Sequence, residues 1–309
     1  MDRIRLQAEQ LLKVLRIFNV RKTLALNSYT FQVSGRAVGI IRPENLEVLK
    51  EYTDEFVLED REVKLRTWKK PDEITENLRK LLRELHEAKA FPALRAWRNE
   101  DLDVKFKFGG ESLFRIERSM TYIFGLKRYG VHINGYSVDS AGNQFCWLQR
   151  RARTKAEYPG MLDTLVGGAL PSGSSVEECL IGEASDEASI PRDLVDKSAR
   201  PVGHVSFLYE DHKGLSPEIL FCYDALLPKG FQPKCKDGEV DAFVKVPFGN
   251  LLDIVIDEEK FSILSLPVLL DFLIRHHILD HRFGEAYFRS VAVIHENLHD
   301  EYPAMLSQI

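Results

Sequence analysis

Cysteine is scarce in this chain, with four residues in 309, Cys146, Cys179, Cys222 and Cys235. They are widely scattered and form no C-x-x-C pair, which excludes a disulfide framework and a cysteine zinc site. They read as reduced, mostly buried thiols. Long apolar runs are also missing. Nothing approaches the roughly 20 consecutive apolar residues of a membrane helix. The first 20 residues mix arginine, lysine and glutamate with leucine, unlike the continuous apolar core of a signal peptide. Positive charge is not in excess: 42 Lys and Arg face 47 Asp and Glu, for a formal net charge of −5. That balance, with no basic block interleaved with aromatics, argues against nucleic acid as a partner. No internal repeat, low-complexity tract or coiled-coil seam is present. The expectation is a cytoplasmic protein with neither a membrane nor a nucleic-acid partner. What remains is ample for sizeable cores: 44% hydrophobic residues in a chain long enough for two domains.

Hydrophobic spacing orders those residues. A helix is expected over 2–17, then strands over 29–33 and 36–41 joined by Ser34-Gly35, and a helix from Pro43 to about residue 52. Strands over 55–58 and 62–66 follow, and a helix over 71–88 carries the apolar stripe Ile74, Leu78, Leu81, Leu82 and Leu85. Another helix is expected over 111–124. A break near 124–128 separates residues 1–126, a smaller N-terminal α+β domain, from residues 127–309. The second part opens with a hairpin of strands 130–138 and 144–151. Strands over 202–210, 218–226 and 240–246 and helices over 249–254, 267–277 and 283–299 complete it. Such a mixture implies an α/β fold whose sheet is covered on both faces.

Between the hairpin and the later strands lies the segment with the most chemistry. Gly167, Gly168 and Gly173 make a glycine-rich loop that lets the backbone turn and approach a ligand closely. It runs into a helix in which Val176, Leu180, Ala184 and Ala188 recur every four residues as a packing face. Beside that face, Glu183, Asp186 and Glu187 fall within an arc of about 100°. Three acids on one face suit Mg²⁺, which takes oxygen ligands from a few carboxylates and from the phosphates of a substrate. Acids at this spacing are also common on solvated helices. The glycine loop beside them favours the diphosphate reading.

The segment resembles a Nudix box, G-x5-E-x7-R-E-U-x-E-E-x-G-U with U a bulky aliphatic residue, with Gly168 first and Ile190 last. The resemblance implies an α/β/α sandwich with a mixed sheet, and a diphosphate hydrolase using Mg²⁺, with Mn²⁺ as a substitute. It places the metal ligands at Glu183, Asp186 and Glu187. Four positions depart: Ser174 stands for the early glutamate, Gly182 for the arginine, Ala184 for the bulky residue and Ser189 for the late glycine. Since that arginine helps to orient a metal-binding glutamate in the family, its loss implies a less organised Glu183 or a cation supplied from elsewhere. Asp186 is one methylene shorter than the usual glutamate, so ligation through water is an option. Outside the box, residues 129–136, 154–163, 237–240 and 271–276 are similar to one Nudix subgroup labelled as related to thiamin pyrophosphokinase, and 31–43 to the opening of its extra N-terminal domain. This implies hydrolysis of thiamin diphosphate, preferentially of oxidised or damaged analogues, to the monophosphate and phosphate.

Further candidates surround the box. Glu239, at a turn before a strand, joins Glu183 and Glu187 as a candidate catalytic acid, for the metal or for the proton of the attacking water. Gly167, Gly168, Lys155, Asn134 and Asp163 are the candidate substrate contacts. Asp163 by itself reads as a turn cap, and Lys155 is preferred to Arg151 as the phosphate contact. His132, Asn134 and Tyr136 share one strand face, which suits a flat ring or a half-buried core. Adjacent His276 and His277 point about 100° apart on a helix and do not share an ion. Two other readings stay open: hydrolysis of nucleoside diphosphate derivatives, and a degenerate module that binds a phosphorylated metabolite or a partner. Homodimers are common in the family, which leaves that state open.

Overall fold

The computed structural model describes residues 2–20, 28–52, 54–66, 70–257 and 259–304. The first helix, α1 (Asp2–Val14), is followed by a 3₁₀ turn over Leu15–Phe18. Strands β1 (Tyr29–Val33) and β2 (Arg36–Ile41) make the expected hairpin. Its Ser34 and Gly35 both have positive φ, 51° and 73°, as a two-residue turn matched to strand twist requires. Then come α2 (Pro43–Leu49), β3 (Phe56–Glu59), β4 (Glu62–Leu65) and α3 (Pro71–Glu87). The four strands form a sheet in the order β2-β1-β4-β3, on whose core Phe31, Phe56 and Phe124 meet the leucine stripe of α3.

The next elements correct the expected helix over 111–124. Strand β5 (Asp101–Lys105), not anticipated, pairs antiparallel with β6 (Ser112–Glu117). A 3₁₀ turn over Arg118–Met120 and a single helical turn, α4 (Thr121–Phe124), follow. Phe114 and Ile116 are buried while Arg115 between them is exposed, so the period here is two and the segment folds as a strand.

The larger sheet is built from β7 (Arg128–Val138), β8 (Gln144–Arg151), β9 (Leu162–Asp163), β10 (Val166–Ala169), β11 (Ala199–Asp211), β12 (Gly214–Leu226) and β13 (Val240–Pro247). Its order is β11-β12-β7-β8-β13, with β10 beside β7 and β9 beside β8. Only β12 and β7 run parallel among its paired strands, which makes the sheet mixed. On one face lie α5 (Val176–Ala188) and α6 (Arg192–Ser198), packed on Val131 and Ile133. On the other lie α7 (Phe248–Val255), α8 (Leu266–Arg275) and α9 (Glu285–Ile294), the last preceded by a 3₁₀ turn over His281–Phe283 and shorter than the expected 283–299. The result is a three-layer α/β/α sandwich. Leu11 and Val14 of α1, with Leu15 and Phe18, join this second core, where Phe18 meets Phe207 edge-on at 5.6 Å. The described residues before 127 therefore divide their apolar side chains among more than one core, with Val20 and Ile40 joining Leu208, Leu215 and Leu298 in a smaller one. No described helix is long and apolar enough to cross a membrane.

Candidate functional site

Local chemistry fixes α5 at both ends. Ser175 caps its start by accepting the Glu178 N–H at 3.1 Å, while the Glu178 carboxylate accepts the Ser175 N–H at 2.9 Å. This reciprocal box satisfies two N–H groups that a helix start leaves free. At the other end Ser189 adopts φ 53°, the left-handed conformation that glycine enters most easily, and its hydroxyl donates to the Lys234 carbonyl at 2.6 Å. Leu180, Ala184 and Ala188 are buried against the sheet.

That packing turns Glu183 and Glu187 toward β10. A Cβ on Gly168 would lie 2.1 Å from Glu183 Oε1, so the bare backbone there is what gives the carboxylate its place. Gly167 points the other way, where a Cβ would lie 2.6 Å from the His132 ring. The Gly167 N–H and the Gln149 side-chain amide donate to Glu187 Oε2 at 2.8 and 3.1 Å. Burial pushes Glu183 up to about 7, against the pull of Arg118 and Lys155. It pushes Glu187 up to about 8, with the Gly167 N–H opposing and Glu183 adding to the rise. Asp186 is exposed at the rim. Among the described residues no three His, Cys, Asp or Glu side chains close on one point. The three acids thus share a wall without forming a ready cage.

The wall borders a cleft of about 420 Å³. Gly167, Gly168, Gly182, Glu183, Asp186 and Glu239 line it, with Arg98, Arg118, Arg151 and Lys155 supplying cations. Lys155 pairs with Glu239, and burial together with nearby Arg151 brings its ammonium down to about 8. Arg151 is committed elsewhere: its Nη1 donates to Asp163 at 2.8 Å, and its Nε and Nη2 each donate to the Glu157 carbonyl at 3.1 Å. Asp163 is buried outside this cleft, accepting also the Thr164 N–H at 2.7 Å and the Ser265 hydroxyl. Its carboxylate is thus engaged by Thr164, Ser265 and Arg151.

Asn134 is not brought to the cleft. Alternation along β7 puts Val131 and Ile133 on the face of α5, and it puts His132, Asn134 and Tyr136 on the opposite face. There the Asn134 amide donates to Asp224 at 3.2 Å, and Tyr136 packs near Phe248 and Phe272. His132 is a buried core histidine within 2.7 Å of the Thr164 hydroxyl, held below its usual pKa by burial. His276 ends α8 and faces Asp224 at 3.1 Å. The residues that sequence reasoning missed are Gln149, Arg98 and Arg118. The period-two spacing of Phe114 and Ile116, which ends beside Arg118, was the available signal for the last.

A family model described as a domain of unknown function (DUF4743) matches residues 10–128. "Nudix hydrolase 24, chloroplastic" of Arabidopsis thaliana is 36% identical over 252 residues, covering 81% of this chain and 68% of that protein. "Nudix hydrolase 20, chloroplastic" of the same plant is 36% identical over 256 residues, with coverage of 80% and 67%. Among solved structures, DR0079 from Deinococcus radiodurans aligns with a TM-score of 0.39 at 23% identity, covering 53% of this chain and 93% of that one.

Proposed function

Because the chain belongs to the Nudix hydrolase family and so is a hydrolase of diphosphate-type substrates, we propose that it cleaves thiamin diphosphate, chiefly oxidised or damaged analogues, to the monophosphate and phosphate. The observation that carries the reaction is the two-sided cleft, with half-buried Glu183 on its helix wall, buried Glu187 one helical turn behind it, and Lys155, Arg98 and Arg118 around it. The thiamin assignment rests on the resemblance of residues 129–136, 154–163, 237–240 and 271–276. We take residues 127–309 as the hydrolase unit and 1–126 as an accessory unit whose first helix is lent to the hydrolase core.

The donor set suits a hard divalent cation. Two neighbouring carboxylates, one half-buried and one buried, do not readily ionise together without a positive charge between or beside them. Mg²⁺ is ordinarily held by one or two protein carboxylates plus phosphate oxygens, so a two-acid wall is sufficient. In this reading Glu183 and Glu187 would hold the ion, with Asp186 on the rim assisting through water. When bound, Mg²⁺, or Mn²⁺ in its place, would neutralise phosphate oxygens and make bound water more acidic.

The other roles belong to the chain itself. Gly167 and Gln149 hold Glu187 in one rotamer, and Gly168 leaves room for Glu183. Lys155 leaves Glu239 to take a phosphate oxygen. Glu239 then accepts the proton of the attacking water as the new P–O bond forms and the bond to the monophosphate breaks. The test is phosphate release by purified protein on a panel of intact and oxidised thiamin diphosphates and nucleoside diphosphate derivatives, with and without Mg²⁺. Mg²⁺-dependent release from the thiamin compounds is expected. Turnover confined to the nucleotides would remove the thiamin assignment.

A further inference from the structure

Two arginines reach the cleft from outside the sandwich. Arg98 precedes β5 and Arg118 follows β6, so both stand at one end of a hairpin in which Asp101 pairs with Glu117. The buried Glu117 carboxylate ties the segment of Arg98 to the turn after β6, accepting the backbone N–H of Arg98 at 2.9 Å and that of Ser119 at 2.7 Å. The Arg118 N–H donates to the Glu100 carbonyl at 2.8 Å, and its Nη1 lies 3.2 Å from the Glu100 carboxylate.

The hairpin is fastened in turn to the glycine loop that leads into α5. The Ser172 N–H donates to the Asp101 carbonyl at 2.9 Å. The Ser172 hydroxyl and the Gly173 N–H donate to the Asp103 carboxylate at 2.8 and 3.2 Å. Both guanidinium groups are mostly shielded, their side chains 26% and 20% exposed, and the closest ion-pair contact of Arg98 is Glu239 at 3.9 Å. They share the cleft with Arg151 and Lys155, and whereas Arg151 is held by Asp163 and Lys155 by Glu239, Arg98 has only the long contact to Glu239 among the described residues, which leaves forked donors for an incoming anion. Across the cleft stands Glu183, and at Gly182 nothing lies within 4 Å of where a side chain would begin, so the helix brings no cation of its own there.

We propose that the β5–β6 hairpin is a wall of the active site, and that Arg98 and Arg118 bind the non-bridging oxygens of the substrate's terminal phosphate opposite Glu183. This rests on the diphosphate reading above. It gives the domain of unknown function a task, the delivery of a paired-arginine phosphate clamp to a site whose acids lie elsewhere in the chain. Guanidinium groups suit it because their forked donors match phosphate oxygens two at a time.

The probe is methylenediphosphonate, which has no cleavable P–O–P bridge, titrated with Mg²⁺ into the full chain by calorimetry. Arg98→Ala and Arg118→Ala should each weaken its binding about tenfold or more, the loss expected for a hydrogen bond to a charged group. Arg118→Lys should recover part of that loss. Arg115→Ala, on the exposed side of the same hairpin and paired with Asp72 at 3.0 Å, should bind as the parent does. Arg118→Gln serves where the alanine variant is poorly folded. Diphosphonate affinity unchanged in folded Arg98 and Arg118 variants, or no binding by the parent chain, overturns the clamp. Arginine-dependent binding without phosphate release from any diphosphate would instead overturn the hydrolytic reading and leave the clamp standing.

Discussion

Replacing Gly168 by alanine sets a methyl carbon 2.1 Å from Glu183 Oε1, 2.2 Å from its Cδ and 2.5 Å from its Cγ. Ordinary contact begins near 3.4 Å, so the carboxylate must retreat by more than 1 Å. The obstacle is the far end of a flexible side chain that borders the cleft, so the side chain can give without the sheet moving. Alanine also removes some backbone freedom from the unfolded chain, a gain of about 0.4–1 kcal/mol where the backbone is compatible. The net effect on stability should stay within about 1 kcal/mol, or a shift in Tm of a few degrees. Activity is another matter, because a displacement of about 1 Å at a reacting site costs on the order of 10²-fold. Phosphate release by Gly168→Ala, measured beside a thermal melt, should therefore fall about a hundredfold with Tm little changed. A variant as active as the parent would refute the claim that this glycine exists to seat Glu183.

Three further outcomes test other parts. Glu183→Gln and Glu187→Gln should each lower turnover by about 10²-fold or more, as expected when a charge aimed at the reacting phosphate is lost, and EDTA should abolish turnover until Mg²⁺ is restored. An unchanged rate in either variant would show that the acids are not the ligands. Gly182→Ala fills open space on an exposed helix interior, so stability should rise by about 1 kcal/mol and Tm by roughly 2 °C; a lower Tm would mean that the helix is held in a form alanine does not accept. Glu157 lies buried beside Lys213 and accepts the Tyr122 hydroxyl at 2.8 Å. Burial opposes its ionisation, but Lys213 and Arg128 outweigh burial and hold the carboxyl well below its usual range. Its stabilisation is complete above the unfolded carboxyl pKa of about 4.3 and is lost as pH falls below that. Glu157→Gln should therefore cost about 3 kcal/mol at pH 7 and about 2 kcal/mol less at pH 3, read from urea unfolding. An equal cost at both values would show that the pair is not ionic.

Legibility in this sequence followed how local the cause was. The stripe Leu180, Ala184 and Ala188 serves a need met within one helix, and the structure has the half-buried helix that it predicts. Alternation along β7 was equally readable, and it puts His132, Asn134 and Tyr136 together on one face. Alternation does not say which face meets α5. That parity is set by the register of β10 against β7, where Gly167 stands opposite His132, and it sends Asn134 away from the cleft. The same limit hid the arginines. Residues 111–124 join the period-two pair Phe114 and Ile116 to Met120, Ile123 and Phe124 at helical spacing, so one window covers a strand, a 3₁₀ turn and a short helix. Arg118 stands at their junction, and no pattern within the segment points it at Glu183, 65 residues later in the numbering. A break in local pattern near residue 126 is where the sequence suggests a boundary, and the cleft draws residues from either side of it. Arg98, Glu100 and Arg118 come from one side, Lys155, Glu183 and Glu239 from the other. The acids could be found because a helix repeats, whereas the cations that face them are placed by hydrogen bonds between the hairpin and the glycine loop, which leave no periodic trace.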